Sequence, residues 1–153
     1  MEKILSKSAP NIDISKKIAK EIFESLKIVG ESFSVFLEGG LGAGKTFLVR
    51  EILQNFEIEE TIISPTYTYI NEYEIELGKK FAHFDFYRMV ESNAFFEKGF
   101  EEISSDQEVS CFVEWGEKIS EEAKNSFSGK KFVIRIEFGE GVGMRKIEFF
   151  EIC

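Results

Sequence analysis

Eight consecutive residues, Gly39-Gly40-Leu41-Gly42-Ala43-Gly44-Lys45-Thr46, have the spacing G-x-x-x-x-G-K-[ST] of a phosphate-binding loop. Glycines there let the backbone turn tightly and bring successive N–H groups close to phosphate oxygens. A helix that begins at the loop adds the positive end of its dipole at the same place. Gly40, Leu41, Gly42, Ala43 and Gly44 would then cradle a nucleoside triphosphate, with Lys45 bridging its terminal phosphates and the Thr46 hydroxyl ligating Mg²⁺. From average residue frequencies, a chance match in a chain this long is on the order of half a per cent. The match also has an apolar strand pattern before it and a helical pattern after it, which turns the odds firmly toward a nucleotide site. Phe47 stands where many such loops carry a hydroxyl, so any α-phosphate contact there must come from backbone.

A phosphate loop needs a second acid for the metal or its water shell, usually at the end of a neighbouring buried strand. Cys111-Phe112-Val113-Glu114 has that form. Asp85 is a further candidate: in Phe81-Ala82-His83-Phe84-Asp85-Phe86-Tyr87 the period of two places His83, Asp85 and Tyr87 on one face and Ala82, Phe84 and Phe86 on the other. A carboxylate in so aromatic a strand is expensive to bury without a task, such as positioning water or a metal shell. His83, the single histidine, reads as a hydrogen-bonded structural group more than as a base. Ser64-Pro65-Thr66 is either a switch segment whose hydroxyl senses the γ-phosphate or a plain turn entering a strand. Trp115, directly after Glu114, has three open places: beside the nucleotide, in the core or at an interface.

The elements that must position these residues follow from periodicity. Ile14, Ile18, Ile22 and Leu26 make one apolar stripe of a helix over Asp13–Lys27, with Asn11 or Asp13 as its cap. Residues 33–37 read as a buried strand and Lys45–Phe56 as the next helix. Thr66–Ile70 and Phe81–Tyr87 predict an antiparallel pair around Leu77–Lys80. A short helix is expected over Ser92–Gly99, a buried strand over Val109–Val113 and a polar helix over Glu117–Asn125. Phe132, Ile134, Ile136 and Phe138 alternate onto one strand face, and after a turn at Gly139–Gly143 a last strand runs over Lys146–Ile152. This order implies an α/β fold, a P-loop NTPase-like three-layer sandwich whose mainly parallel sheet carries antiparallel additions, in one domain over residues 1–153.

Composition narrows the function further. With Lys plus Arg at 19 and Asp plus Glu at 28, the net charge is −9, so tight binding of nucleic acid by the chain alone is not expected. No apolar run reaches the roughly 18 residues of a membrane span, and the N-terminus lacks a signal-like stretch, so the expected location is cytoplasmic. Cys111 and Cys153 sit in unlike contexts and suggest neither a disulfide framework nor a metal site. Three rivals use the same loop. A small-molecule kinase would need an acceptor pocket and usually an Arg-bearing lid, and the chain has only Arg50, Arg88, Arg135 and Arg145. A GTP switch commonly carries Asn-Lys-x-Asp, which is absent. The third rival binds nucleotide without turning it over.

Four segments in order, Gly39–Thr46, Ser64-Pro65-Thr66-Tyr67, His83-Phe84-Asp85-Phe86-Tyr87-Arg88 and Val113-Glu114-Trp115, resemble the TsaE (YjeE) family of bacterial P-loop ATPases. The resemblance extends from about Asn11 to the C-terminus. It implies a cytoplasmic, Mg²⁺-dependent ATPase required, with TsaB and TsaD, for forming threonylcarbamoyladenosine beside the anticodon of certain tRNAs, with tRNA met only through the complex. Position by position it implies Lys45 on phosphate, Thr46 and Glu114 on Mg²⁺, Asp85 in catalysis or metal-shell support, and a nucleotide contact from Asn11, while Trp115 is kept as a nucleotide-contact candidate from its place after Glu114. Gly40, where the family commonly has an acid, Phe47, and the stretch Glu91–Phe100 depart from the pattern.

Overall fold

The side-chain oxygen of Asn11 accepts from the Ile14 N–H at 2.9 Å and so caps helix α1 (Ile12–Lys27), which buries Ile18, Ala19, Ile22, Phe23 and Leu26. This computed structural model describes residues 1–153. Around α1 stand strands β1 (Glu2–Ala9), β2 (Phe33–Glu38), β3 (Ile70–Glu74), β4 (Lys80–Asp85), β5 (Val109–Glu114), β6 (Lys130–Phe138) and β7 (Arg145–Ile152). The other helices are α2 (Lys45–Asn55), α3 (Ala94–Glu97), α4 (Phe100–Ser104) and α5 (Glu121–Ser126), with a 3₁₀ turn at Gly116–Lys118.

All seven strands form one sheet in the order β1-β7-β6-β2-β5-β4-β3. The four middle strands, β6, β2, β5 and β4, are parallel; β3 and β7 pair antiparallel with β4 and β6, and β1 pairs antiparallel with β7. This is the expected α/β architecture with a parallel core. Alternation along β4 and β5 separates two cores. Phe81 and Phe112 pack with α1 and α2, whereas Ala82, Phe84, Cys111 and Val113 pack with α3, α4 and α5. The second core is aromatic: Phe95 lies within 5.8–6.0 Å of Phe86, Phe100 and Phe127, ring centre to ring centre. Burial pushes the Cys111 thiol up to about 12, which leaves it unreactive. No helix is long and apolar enough to cross a membrane.

Several elements differ from the sequence reading. Strand β1 has no apolar alternation to announce it; it is an edge strand with a register shift between Lys3 and Leu5, held to β7 along its length. Residues 66–69 form a turn, because Tyr69 is left-handed (φ 67°) and its N–H closes onto the Pro65 carbonyl at 2.8 Å, so the strand starts at Ile70. The expected helix over Ser92–Gly99 is the single turn α3, and Gly99 (φ 75°) opens α4 instead of ending a helix. The stretch Glu117–Asn125 divides into the 3₁₀ turn and α5, capped by the Ser120 hydroxyl on the Ala123 N–H. Phe132, Ile134 and Ile136 are buried as expected, but Phe138 at the strand end is 59% exposed.

Candidate functional site

Strands β2, β4 and β5 end side by side at one edge of the parallel core, where α/β sheets place their ligands. The register sets Leu37 opposite Glu114 and Asp85 opposite Glu114, so two carboxylates stand next to the point where the chain leaves β2 for Gly39. A cleft of about 300 Å³ opens there, lined by residues 40–47 with Thr66, Asp85, Tyr87, Glu114 and Trp115.

The loop is shaped by its glycines. A Cβ on Gly39 would lie 2.7 Å from the Ile136 carbonyl oxygen, so space alone requires glycine. Gly44 requires it by conformation, since it precedes α2 with φ 109°. Helix α2 has no side-chain cap and no acid in its first turn, so the first amides of α2 face the cleft side of the chain without intrahelical acceptors. The Lys45 ammonium folds back onto the carbonyls of Gly39 and Gly40 and lies 3.8 Å from the centre of the Trp115 ring. Burial lowers its pKa, and Glu114, Glu117 and Asp85 oppose that shift. Incoming phosphate oxygens would favour the ammonium that the buried cleft disfavours.

Behind the loop runs a chain of buried polar contacts. The Thr46 hydroxyl donates to the Glu114 carboxylate (2.8 and 3.0 Å), and the far oxygen of Glu114 meets His83 Nε2 at 2.6 Å. His83 Nδ1 is buried without a partner, so the ring's one bond is the one that holds Glu114. Asp85 accepts from the Thr66 hydroxyl at 2.8 Å and from the Tyr87 N–H at 3.0 Å, each on a different oxygen. The Ser64 and Thr66 hydroxyls are 2.6 Å apart, and Thr66, through its bond to Asp85, is the residue of this segment that lines the cleft. Trp115 sits at φ 58°, a strained conformation at the lip of the site, with its ring 5.0 Å from Tyr87.

The structure therefore brings together Gly40, Leu41, Gly42, Ala43, Gly44, Lys45, Thr46, Asp85, Glu114 and Trp115, as the sequence reading groups them. Asn11 lies outside this lining and is engaged in capping α1. Neither Arg50 nor Arg88 reaches the cleft; Arg88 stacks on Tyr67 instead, 4.3 Å from its ring centre. Sequence reasoning allowed Phe47 a backbone contact only, put Tyr87 on the face of Asp85 without assigning it to the site, and missed Arg145, which reaches the loop from the start of β7. Only the Phe81–Tyr87 alternation carried a hint, for Tyr87.

The donors beside the loop suit Mg²⁺. Thr46 and Glu114 offer a hydroxyl and a carboxylate, hard oxygens on neighbouring atoms. No three His, Cys, Asp or Glu side chains converge as a cage, and Mg²⁺ at a phosphate site needs none, because phosphate and water complete its shell.

A family model described as "Threonylcarbamoyl adenosine biosynthesis protein TsaE" matches residues 9–147. A Haemophilus influenzae protein called tRNA threonylcarbamoyladenosine biosynthesis protein TsaE is 39% identical over 88 residues, covering 58% of this chain and 54% of that one. The Rickettsia felis protein of the same name is 39% identical over 110 residues, covering 71% and 61%. The chain thus matches little more than half the length of these relatives. Among solved structures, Bacillus subtilis YdiB superposes with a TM-score of 0.66 at 26% identity, covering 97% of this chain and 86% of its own.

Proposed function

The chain belongs to the TsaE family, in tRNA threonylcarbamoyladenosine biosynthesis, and from that premise we propose that it is a Mg²⁺-dependent ATPase of one domain, slow by itself and stimulated by TsaB and TsaD. The observation that carries this is the Thr46 hydroxyl, at the first turn of α2, bonded to a buried Glu114 in the same cleft as the glycine loop. The amides of residues 40–46 take the polyphosphate, and Lys45 turns from the Gly39 and Gly40 carbonyls to its terminal oxygens. Thr46 and Glu114 would hold Mg²⁺, which when bound neutralises charge on the phosphate oxygens. Asp85, with a spare lone pair on each oxygen, orients water for attack on the γ-phosphorus, giving ADP and phosphate. Trp115 closes one side of the site, and Asn11 contributes at most from outside the phosphate cleft.

Net charge of −9 supports contact with tRNA through the partners rather than by this chain alone, and the assembly belongs in the cytoplasm. Slow intrinsic turnover fits a cleft without an arginine, since an arginine supplied from elsewhere is worth about 10³–10⁵ in rate. The test is ATP hydrolysis with and without TsaB and TsaD, for wild type, Lys45→Ala and Glu114→Ala. Stimulated turnover lost in both variants supports the proposal. Brisk turnover by the chain alone, unchanged by the partners, overturns it.

A further inference from the structure

Arg145 sits 102 residues beyond Ala43 in sequence and against the glycine loop in space. Its Nε donates to the Ala43 carbonyl at 3.1 Å, Nη2 to the Gly42 carbonyl at 3.4 Å, and Nη1 to the Met144 carbonyl at 3.1 Å. The guanidinium lies 4.4 Å from the centre of the Phe138 ring, which fixes its plane across the β6–β7 turn. No carboxylate pairs with it: the ion pairs of the protein are all made by other cations. In a chain of net charge −9, this arginine spends its donors on main-chain carbonyls of the loop.

We propose that Arg145 is a positioning residue for nucleotide binding, holding the Ala43 carbonyl outward so that the Gly44 amide stays turned toward phosphate, and the Gly42 carbonyl so that the Ala43 amide closes the turn of the loop. The physical link is the peptide plane. All peptides here are trans, so the C=O and the following N–H point in opposite directions. Holding the Ala43 carbonyl against the guanidinium turns the Gly44 N–H the other way, toward the cleft that Gly44 lines. Holding the Gly42 carbonyl turns the Ala43 N–H away from the guanidinium and onto the Gly40 carbonyl at 3.1 Å, which sets the turn of the loop rather than offering a donor to phosphate. Glycines leave this segment free to adopt other conformations, and the guanidinium removes that freedom before ligand arrives. Its unpaired positive charge behind the loop adds attraction for a polyphosphate.

Resting on the cleft being a nucleotide site, the proposal is tested by calorimetric titration of the full chain with the Mg²⁺ complex of a non-hydrolysable ATP analogue. Wild type, Arg145→Ala and Arg145→Lys are compared, with Lys45→Ala as reference and thermal melting as the check on folding. Both Arg145 variants should bind about ten- to a hundredfold more weakly, the weight of one or two hydrogen bonds to a charged group. Millimolar guanidinium should restore part of the affinity of Arg145→Ala. In ATP turnover with the partners, KM should rise more than kcat falls. Lysine keeps the charge but not the planar fork, so wild-type binding by Arg145→Lys overturns the carbonyl geometry, and wild-type binding by both overturns the proposal outright. Should Arg145→Ala fail to fold, Arg145→Lys carries the test. A wild-type chain that binds no analogue instead removes the nucleotide reading itself, a separate result.

Discussion

Glu114 and Glu148 are both carboxylates sunk into the same sheet, 2% and 6% exposed, and they are held in opposite ways. Glu148, on β7, has its charge answered by the chain itself: Lys3 at 2.8 Å, Lys146 at 3.2 Å, and the Ser6 hydroxyl at 3.2 Å. Glu114, at the end of β5, has only the Thr46 hydroxyl and the His83 ring. The first arrangement is complete without a ligand. The second orients a carboxylate where an open cleft and an ammonium, Lys45, adjoin it. The same sheet thus keeps one acid whose charge the chain answers itself and one that faces an open cleft, and the partners distinguish them better than burial does.

The contrast breaks most visibly in activity. Glu114→Gln keeps the shape and loses the charge; partner-stimulated ATP turnover should fall about 10²–10³-fold, the scale of removing one preorganised electrostatic contact. Its melting temperature should hold or rise, because a buried charge with no cation of its own costs desolvation. Glu148→Gln should do the reverse, leaving turnover at the wild-type level and lowering the melting temperature. If both substitutions moved activity alike, the distinction between the two acids would be lost.

A smaller effect tests Asp85, which faces the cleft beside Glu114. Asp85→Asn retains the size, keeps its oxygen as acceptor for the Tyr87 N–H and turns the Thr66 contact round so that the amide donates, but weakens the pull on a water proton. Stimulated kcat should drop about 10²-fold with KM little changed. A rise in KM with constant kcat would place Asp85 in nucleotide binding instead.

The next step removes a supporting donor rather than an acid. His83→Phe fills the same space in the β4 face and takes away the 2.6 Å contact that fixes Glu114. Loss of such a supporting contact typically costs 10- to 100-fold in metal affinity or activity. The Mg²⁺ concentration giving half-maximal turnover should therefore rise by roughly tenfold. An unchanged Mg²⁺ requirement would make His83 a packing residue only.

What was legible in the sequence follows the same division. The glycine loop, Glu114 and Asp85 could be read directly, because each belongs to a short contiguous pattern whose chemistry is local: a turn, a helix start, an acid after an apolar run. The face shared by His83 and Asp85 was legible from a period of two. Arg145 was not, since its contact with Ala43 exists only because β6 lies beside β2 and β7 beside β6, a strand order no local pattern encodes. Strand β1 was hidden for a related reason. Its polar residues are those of an edge, and Lys3 has meaning only once Glu148 is opposite it. Tyr69 broke the expected strand at 66–70 by one left-handed residue, a tertiary choice that propensity does not carry.

The smallest effect belongs to Glu148 and is read in acid. Hydrogen bonds and charge from Lys3 and Lys146 hold its carboxyl at about 2, well below the usual carboxylate value of 4.5. A group whose folded value is depressed contributes stability above its unfolded value and loses it as pH falls toward the folded one. The contribution of Glu148 should therefore be whole at neutral pH and disappear between about pH 4.5 and 2. Comparing unfolding free energies of wild type and Glu148→Gln across that window should show the two profiles converging as pH falls. Lys3→Met should narrow the gap as well, since it removes the largest cause of the shift, and high salt should do so less than for the outlying pair of Lys7 and Glu21, whose side chains are each nearly half exposed. Profiles that stay parallel from neutral pH down to 2 would mean that the lysines do not favour the ionised carboxylate, and Glu148 would then differ from Glu114 in position alone.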